Sequence, residues 1–201
     1  MHISEGILSG PVLISGAALA AAGTAVGLKK LDYDRIAQAG MLAASFFVAS
    51  LIHVPVGPSS VHLILNGIVG LLLGWAAFPI ILVALLLQAV LFQFGGITTL
   101  GVNTVLMAFP AVACHYLFRK FMFKTDRAAA VAAFACGFLA VFGGALILGL
   151  ALMFTEENFF SVAALVIGAH VPVMFIEGVI TAFCILFFRK VYPQLLPGVR
   201  P

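Results

Sequence analysis

The chain has 201 residues, 64% hydrophobic and 8% charged, with ten Lys and Arg, seven Asp and Glu and a net charge of +3. A soluble domain carries about 25% charged residues, so this composition, with a mean hydropathy of +1.24, excludes a soluble enzyme, a disordered chain and a nucleic-acid binder. What remains is an all-α polytopic membrane protein, one transmembrane domain over residues 1–201.

In chain order, a short tail over residues 1–6 precedes seven apolar segments: 7–28, 36–54, 60–76, 78–94, 99–123, 128–153 and 161–189. The third and fourth are nearly continuous, split by Trp75 to Pro79. Pro79 suits the first turn of a new helix, and one helix over 60–94 overshoots a hydrocarbon core of ~30 Å. A tight turn is expected there; the alternative is one kinked helix and six spans. No segment alternates polar and apolar residues as a membrane strand must, so the spans are helices. The connections 53–60 and 93–99 are rich in Pro and Gly and predict irregular backbone, at the interface or lining a protein cavity.

Every Lys and Arg falls on one side: Lys29, Lys30 and Arg35; Arg119, Lys120, Lys124 and Arg127; Arg189, Lys190 and Arg200. The positive-inside rule makes that side cytoplasmic, with the N-terminus, Glu5, Glu156 and Glu157 outside and the C-terminus inside. This consistency needs an odd number of spans. No basic stretch precedes the first apolar segment, so no cleavable signal peptide is expected, and the bulk of His2 should preserve Met1. Cys114, Cys136 and Cys184 lie in apolar runs without metal spacing and read as small buried hydrophobes.

Polar residues inside spans are costly and usually functional. They gather in the outer half: His53 closing span 2, His62 and Asn66 in the first turns of span 3, and Gln88 and Gln93 near the end of span 4. Asn103 opens span 5, and His170 with Glu177 lies deeper in span 7. His115 lies near Arg119 on the other side and reads as an interfacial anchor, as His53 also does. His170 and Glu177 could form a buried pair that locks span 7. The Asn and Gln residues could be interhelical glue.

The first dipeptide carries the sharpest chemistry. The Met1 amine, the His2 amide nitrogen and His2 Nδ1 close a five-membered and a six-membered chelate ring on one metal, filling three corners of a square. Square-planar nitrogen coordination points to Ni(II) or Cu(II), with Co(II) also eligible. A further neutral imidazole supplies the fourth corner, and His62 is the best-placed donor. Glu177 is expected to support His170 or the cavity floor rather than touch the metal.

At this point the chain resembles a known family. Met1-His2-Ile3-Ser4-Glu5-Gly6 is similar to the N-terminal signature Met-His-Ile-Pro-(Asp/Glu)-Gly of the CbiM/NikM family, the cobalt/nickel substrate-capture subunits of energy-coupling-factor (ECF) transporters. The stretch Val54-Pro55-Val56-Gly57-Pro58-Ser59-Ser60-Val61-His62-Leu63 resembles its second signature, which carries a ligand histidine. Gln88 to Phe92 followed by Gly95 to Asn103 resembles the third, and His170 to Gly178 the last-helix pattern. Ser4 replaces the usual Pro and Val61 a common Gly; neither change removes a ligand.

The resemblance implies uptake of Co2+ or Ni2+, captured outside a prokaryotic cell membrane by Met1, His2 and His62. Asn66, Gln93, Asn103, His170, Glu177 and His53 would surround the site or line the path. It also implies partners: a transmembrane coupling subunit, two cytoplasmic ATPases and, in cobalt systems, a small two-span subunit. The chain has no Gly-x-x-x-x-Gly-Lys-(Ser/Thr) loop, so it is a transport subunit rather than an enzyme. Small-residue stripes at Ala18, Ala22, Gly23 and Gly27 suit either partner docking or internal packing. The strongest rival is a stand-alone proton-coupled metal permease with His170 and Glu177 as relay. A retinal-type sensor is excluded, since span 7 has no Lys before Lys190. Gly57-Pro58-Ser59-Ser60 breaks the Gly-x-Ser-Gly pattern of an intramembrane serine protease.

Overall fold

The computed structural model describes residues 2–51, 53–56, 59–155 and 160–196, with 53–56, 59–61 and 160 given by backbone alone. Met1, Glu156 and Glu157 therefore lie outside the described residues. The chain is a mostly helical membrane protein. Its helices are α1 (Gly10–Lys30), α2 (Ile36–Ala49), α3 (Asn66–Leu73), α4 (Ala77–Phe92), α5 (Leu100–Phe118), α6 (Asp126–Met153) and α7 (Phe160–Val191). Strands β1 (His53–Val56) and β2 (Ser59–His62) pair between α2 and α3. Five stretches are long and apolar enough to cross a bilayer: Gly10–Lys30, Asn66–Phe92, Leu100–Phe123, Asp126–Met153 and Ser161–Val191.

Local chemistry explains the helix boundaries. Pro11 sits in the first turn of α1, where its missing N–H costs nothing, and Lys29 and Lys30 close the helix against the negative end of its dipole. The Thr125 hydroxyl caps α6 by accepting from the Ala128 N–H at 3.3 Å, with Asp126 in the first turn. At the far end of α7, Arg189 reaches Asp126 and the Met122 and Lys124 carbonyls, tying the α5–α6 connection to α7.

The region expected as span 3 differs most. Residues 59–62 are strand, not helix, and Leu65 (φ 57°) enters the left-handed region before α3 begins at Asn66. His62 and Asn66 are therefore not on one helical face. The segment expected to be irregular is an antiparallel hairpin in which His53 pairs with His62 and Val56 with Ser59. Strand pairing satisfies backbone groups that a Pro-rich loop would leave open in an apolar setting.

The eight-residue α3 is ~12 Å long and cannot cross a bilayer alone. It ends at a turn over Gly74–Ala76, where Gly74 has φ 57°, a conformation that glycine adopts at no steric cost. The direction of the chain then reverses. His62 before α3 and Gln88 in α4 both reach His2, whereas Leu71 and Gly74 at the turn lie against His115. Residues 66–92 are thus two helices, α3 and α4, meeting at a turn near the Trp75–Pro79 break.

Glycines set the closest helix contacts. A Cβ on Gly67 (α3) would lie 2.7 Å from Gly137 Cα (α6), and one on Gly137 would lie 2.5 Å from the Glu177 carbonyl oxygen (α7). That stack brings α7 against the start of α3. Gly23 and Gly27 serve the same purpose internally: Phe78 covers the first, and Trp75 and Pro79 cover the second. Of the two readings of the stripe, internal packing accounts for these two glycines, because their faces are already filled; Ala18 and Ala22 remain exposed. Gly137→Ala should cost about 1–3 kcal/mol by forcing α6 from α7. Gly168→Ala has nothing within 4 Å of the new carbon and should be neutral or mildly stabilising. Thermal melts of the purified variants check the contrast.

Candidate metal centre

The N-terminal tail does not hang free. His2 is 4% exposed and Ile3 fully buried, although both precede the first helix. The Asn103 side chain grips Ile3 as a strand partner would: Oδ1 accepts the Ile3 N–H at 2.9 Å and Nδ2 donates to the Ile3 carbonyl at 3.1 Å. Glu5 Oε1 accepts from the Thr98 N–H at 3.0 Å and from the Thr98 hydroxyl at 3.3 Å. The Thr98 N–H is the main reason the Glu5 carboxyl lies below its ordinary value of 4.5. Gly96 (φ 145°) lets the 93–99 loop pass against Glu5, where any side chain would collide with it.

The tail delivers His2 to His62. His2 Nε2 faces Gln88 Oε1 at 2.8 Å, and His62 Nδ1 faces the Leu63 carbonyl at 2.7 Å. Both oxygens only accept, which assigns the ring protons to those two nitrogens. The Gln88 amide is itself oriented, since its NH2 donates to the Ser50 hydroxyl and the Phe47 carbonyl of α2. The remaining nitrogens, His2 Nδ1 and His62 Nε2, face each other at 2.9 Å, with ring centroids 4.6 Å apart. Two nitrogens bound to one ion at about 2.0 Å lie ~2.8 Å apart at a right angle and ~3.3 Å apart at the tetrahedral angle. The observed separation matches the edge of a square.

His62 is held from below. Glu177 is fully buried, and its Oε1 accepts the N–H groups of Ile64 at 2.5 Å and Leu65 at 2.8 Å. These two amides follow Leu63, whose carbonyl holds the His62 ring. The carboxylate of α7 therefore fixes a strained three-residue link and, through it, the direction of the imidazole. The buried pair expected with His170 is not formed: among the described residues Glu177 bonds the Ile64 and Leu65 amides instead. His170 Nδ1 donates to the Val166 carbonyl at 2.7 Å, within its own helix, while Nε2 has no hydrogen-bond partner among the described residues.

The other expected residues divide. Asn103 joins the site through the tail. Asn66 is fully buried but binds the Met107 and Ala140 carbonyls, joining α3 to α5 and α6 rather than reaching the histidines. Gln93 lies exposed at the end of α4, and Gln88 takes the place expected of it. One and a half turns separate them, so the inward face of α4 was the signal that selects Gln88. His53 lies across from His62 in the hairpin register. Among the described residues no three His, Cys, Asp or Glu side chains converge. The donors present are two imidazoles and backbone nitrogen, a set that suits square-planar ions rather than Mg2+ or Ca2+.

A family model for the cobalt uptake substrate-specific transmembrane region matches residues 2–195. The chain belongs to the CbiM family. A Haemophilus influenzae protein named as a metal transport protein is 44% identical over 201 residues, covering 98% of this chain and 97% of that one. The cobalt transport protein CbiM of Geobacter sulfurreducens is 30% identical over 98% of this chain, which spans 61% of that relative's length. The fused nickel transport protein NikMN of Rhodobacter capsulatus is 40% identical over 54% of this chain and 33% of its own length. A crystal structure of a transition metal transporter superposes with a TM-score of 0.77 at 28% identity, over 95% of this chain and 93% of that one. The family is one of cobalt and nickel transport subunits, and membership makes this chain a multi-pass protein of a prokaryotic cell membrane.

Two outcomes follow from the tail and its support. Because docking lowers the Glu5 carboxyl below 4.5, its contribution to docking is complete above that value and lost as pH falls through the lowered one. Hydrogen exchange of residues 2–5, corrected for intrinsic rates, should show protection falling below about pH 4.5, and Glu5→Gln should flatten the dependence. Glu177→Leu should weaken metal binding by roughly 10–100-fold by orphaning two amides, while Glu177→Gln, which keeps an acceptor, should hold near wild type. Competition titration with a chromogenic chelator measures both.

Proposed function

We propose that this chain is the metal-capture subunit of an ATP-driven ECF-type uptake transporter, taking Co2+ or Ni2+ from outside through the Met1 amine, the His2 amide and Nδ1, and His62 Nε2. The observation that carries this reading is the 2.9 Å approach of His2 Nδ1 to His62 Nε2, each ring being committed to an oxygen at its other nitrogen. The reading includes seven membrane segments, with α2 and the α3–α4 hairpin completing the count, an outer N-terminus and a cytoplasmic C-terminus. The placement of every Lys and Arg at one end supports it.

Capture proceeds by tail closure. The hydrated ion loses water as the amine and imidazoles replace it, and the amide proton leaves as the second chelate ring closes. Asn103 and Thr98 hold Ile3 and Glu5, so most of the tail's ordering is supplied by contacts that do not touch the metal. The imidazoles must be neutral and the amine deprotonated to bind, so affinity should fall as pH falls; burial holds the His62 ring well below its ordinary value, so its own protonation is the last to oppose binding. The fused NikMN relative supports association with further transporter components, as does the lack of a phosphate-binding loop in this sequence. The relay reading of His170 and Glu177 gains nothing from geometry in which the two are not bonded.

The test uses four preparations of the full chain: unmodified, extended at the N-terminus, the same after cleavage back to Met1, and His62→Ala. Elemental analysis should find one Ni or Co in the unmodified and cleaved forms and little in the extended one. His62→Ala should lose roughly 10–1,000-fold in affinity. Equal metal content in extended and unmodified protein, with circular dichroism confirming helicity in both, would leave the amine without a role.

A further inference from the structure

A second built cavity lies at the opposite end of the bundle from His2 and His62. It has a volume of about 430 Å³ and opens between the α1–α2 connection, the Gly74–Ala76 turn and the end of α5. Four cations line it, Lys30, Arg35, Arg119 and Lys120, against the single carboxylate of Asp32. Asp32 is already engaged, accepting the Asp34 N–H at 3.1 Å. Arg35 is anchored to Gln38 and the Leu195 carbonyl, and the Arg119 guanidinium stands over the Tyr116 ring at 5.0 Å. Neither contact neutralises the charge. Among the described residues the one ion pair in direct contact is Arg189–Asp126; Asp32 acts on Arg35 through space, which leaves one carboxylate against four cations and a net positive cavity.

Like charges around one concavity repel unless an anion sits among them. Part of the lining is apolar, Leu72, Leu73, Ala76 and Phe123, and Phe123 is 55% exposed. Cations over an apolar wall, at the level where hydrophobic helices end, match an amphiphile with an anionic head. We propose that this cavity binds the phosphate headgroup of an anionic phospholipid, with an acyl chain leaving over Phe123 into the bilayer. A soluble phosphate compound shares the headgroup chemistry but leaves the apolar wall unused. An acidic protein segment is the other anion that could neutralise the four cations.

The full chain in detergent, titrated in native mass spectrometry with phosphatidylglycerol, phosphatidylcholine of the same chains, glycerol 3-phosphate and a Glu-rich peptide, tests this. Phosphatidylglycerol should bind at least about tenfold more tightly than phosphatidylcholine. Arg119→Gln/Lys120→Gln should weaken it by roughly 10–30-fold, from about 1 kcal/mol per cation. Lys29→Gln/Arg127→Gln, removing two charges outside the cavity, should change it less than threefold. Equal loss in both double variants would reduce the effect to surface charge and overturn the site. Glycerol 3-phosphate or the peptide binding as tightly as the lipid would overturn the lipid as occupant. The headgroup preference of the unmodified chain needs no variant to fold, and absence of that preference also overturns the proposal.

Discussion

Two imidazole nitrogens face each other across 2.9 Å, and the other nitrogen of each ring faces an oxygen on its far side. Both rings are buried, and a cation between two such nitrogens is strongly attracted to them. The surrounding structure is organised to maintain this arrangement. Gln88 orients one ring and is oriented in turn by α2; Leu63 orients the other and is held through Glu177 on α7. Asn103 and Thr98 hold the docked tail through contacts that do not involve the metal ligands. Such supporting groups set the direction of a ligand's lone pair and are worth as much to a metal site as the ligands themselves.

Much of this was legible in the sequence because it follows from composition and local chemistry. The apolar runs and the break near Trp75–Pro79 need no tertiary information. The misassignments share a cause. The 53–62 stretch reads as loop then helix because Pro and Gly mark irregularity and the residues from Leu63 on are apolar; its strand pairing shows only in the folded backbone. Gln93 was preferred to Gln88 because the helix face, not the depth, decides which amide enters the site. Glu177 bonds to amides 112 and 113 residues away, a contact for which spacing holds no signal. The glycines of α1 looked like a docking stripe, yet close approach is equally useful inside a bundle, and Phe78, Trp75 and Pro79 fill it.

The short helix α3 links the two ends of the molecule. Its start carries the strained link that Glu177 holds beneath His62, and its last residues, with the following turn, form the apolar wall of the basic cavity. His115 bonds the Leu71 carbonyl at that lower end. Gly67 and Gly70 pack α3 so closely on α6 and α5 that it has little room to tilt alone.

Coordination geometry is the most direct test. X-ray absorption and magnetic susceptibility of the nickel-loaded chain report the number of donors, their identity and the spin state. A square of amine, amidate and two imidazoles predicts four nitrogens, no sulfur and a diamagnetic Ni(II) ion. A paramagnetic, six-coordinate ion with oxygen ligands would contradict it and reduce the two histidines to a partial, water-filled site.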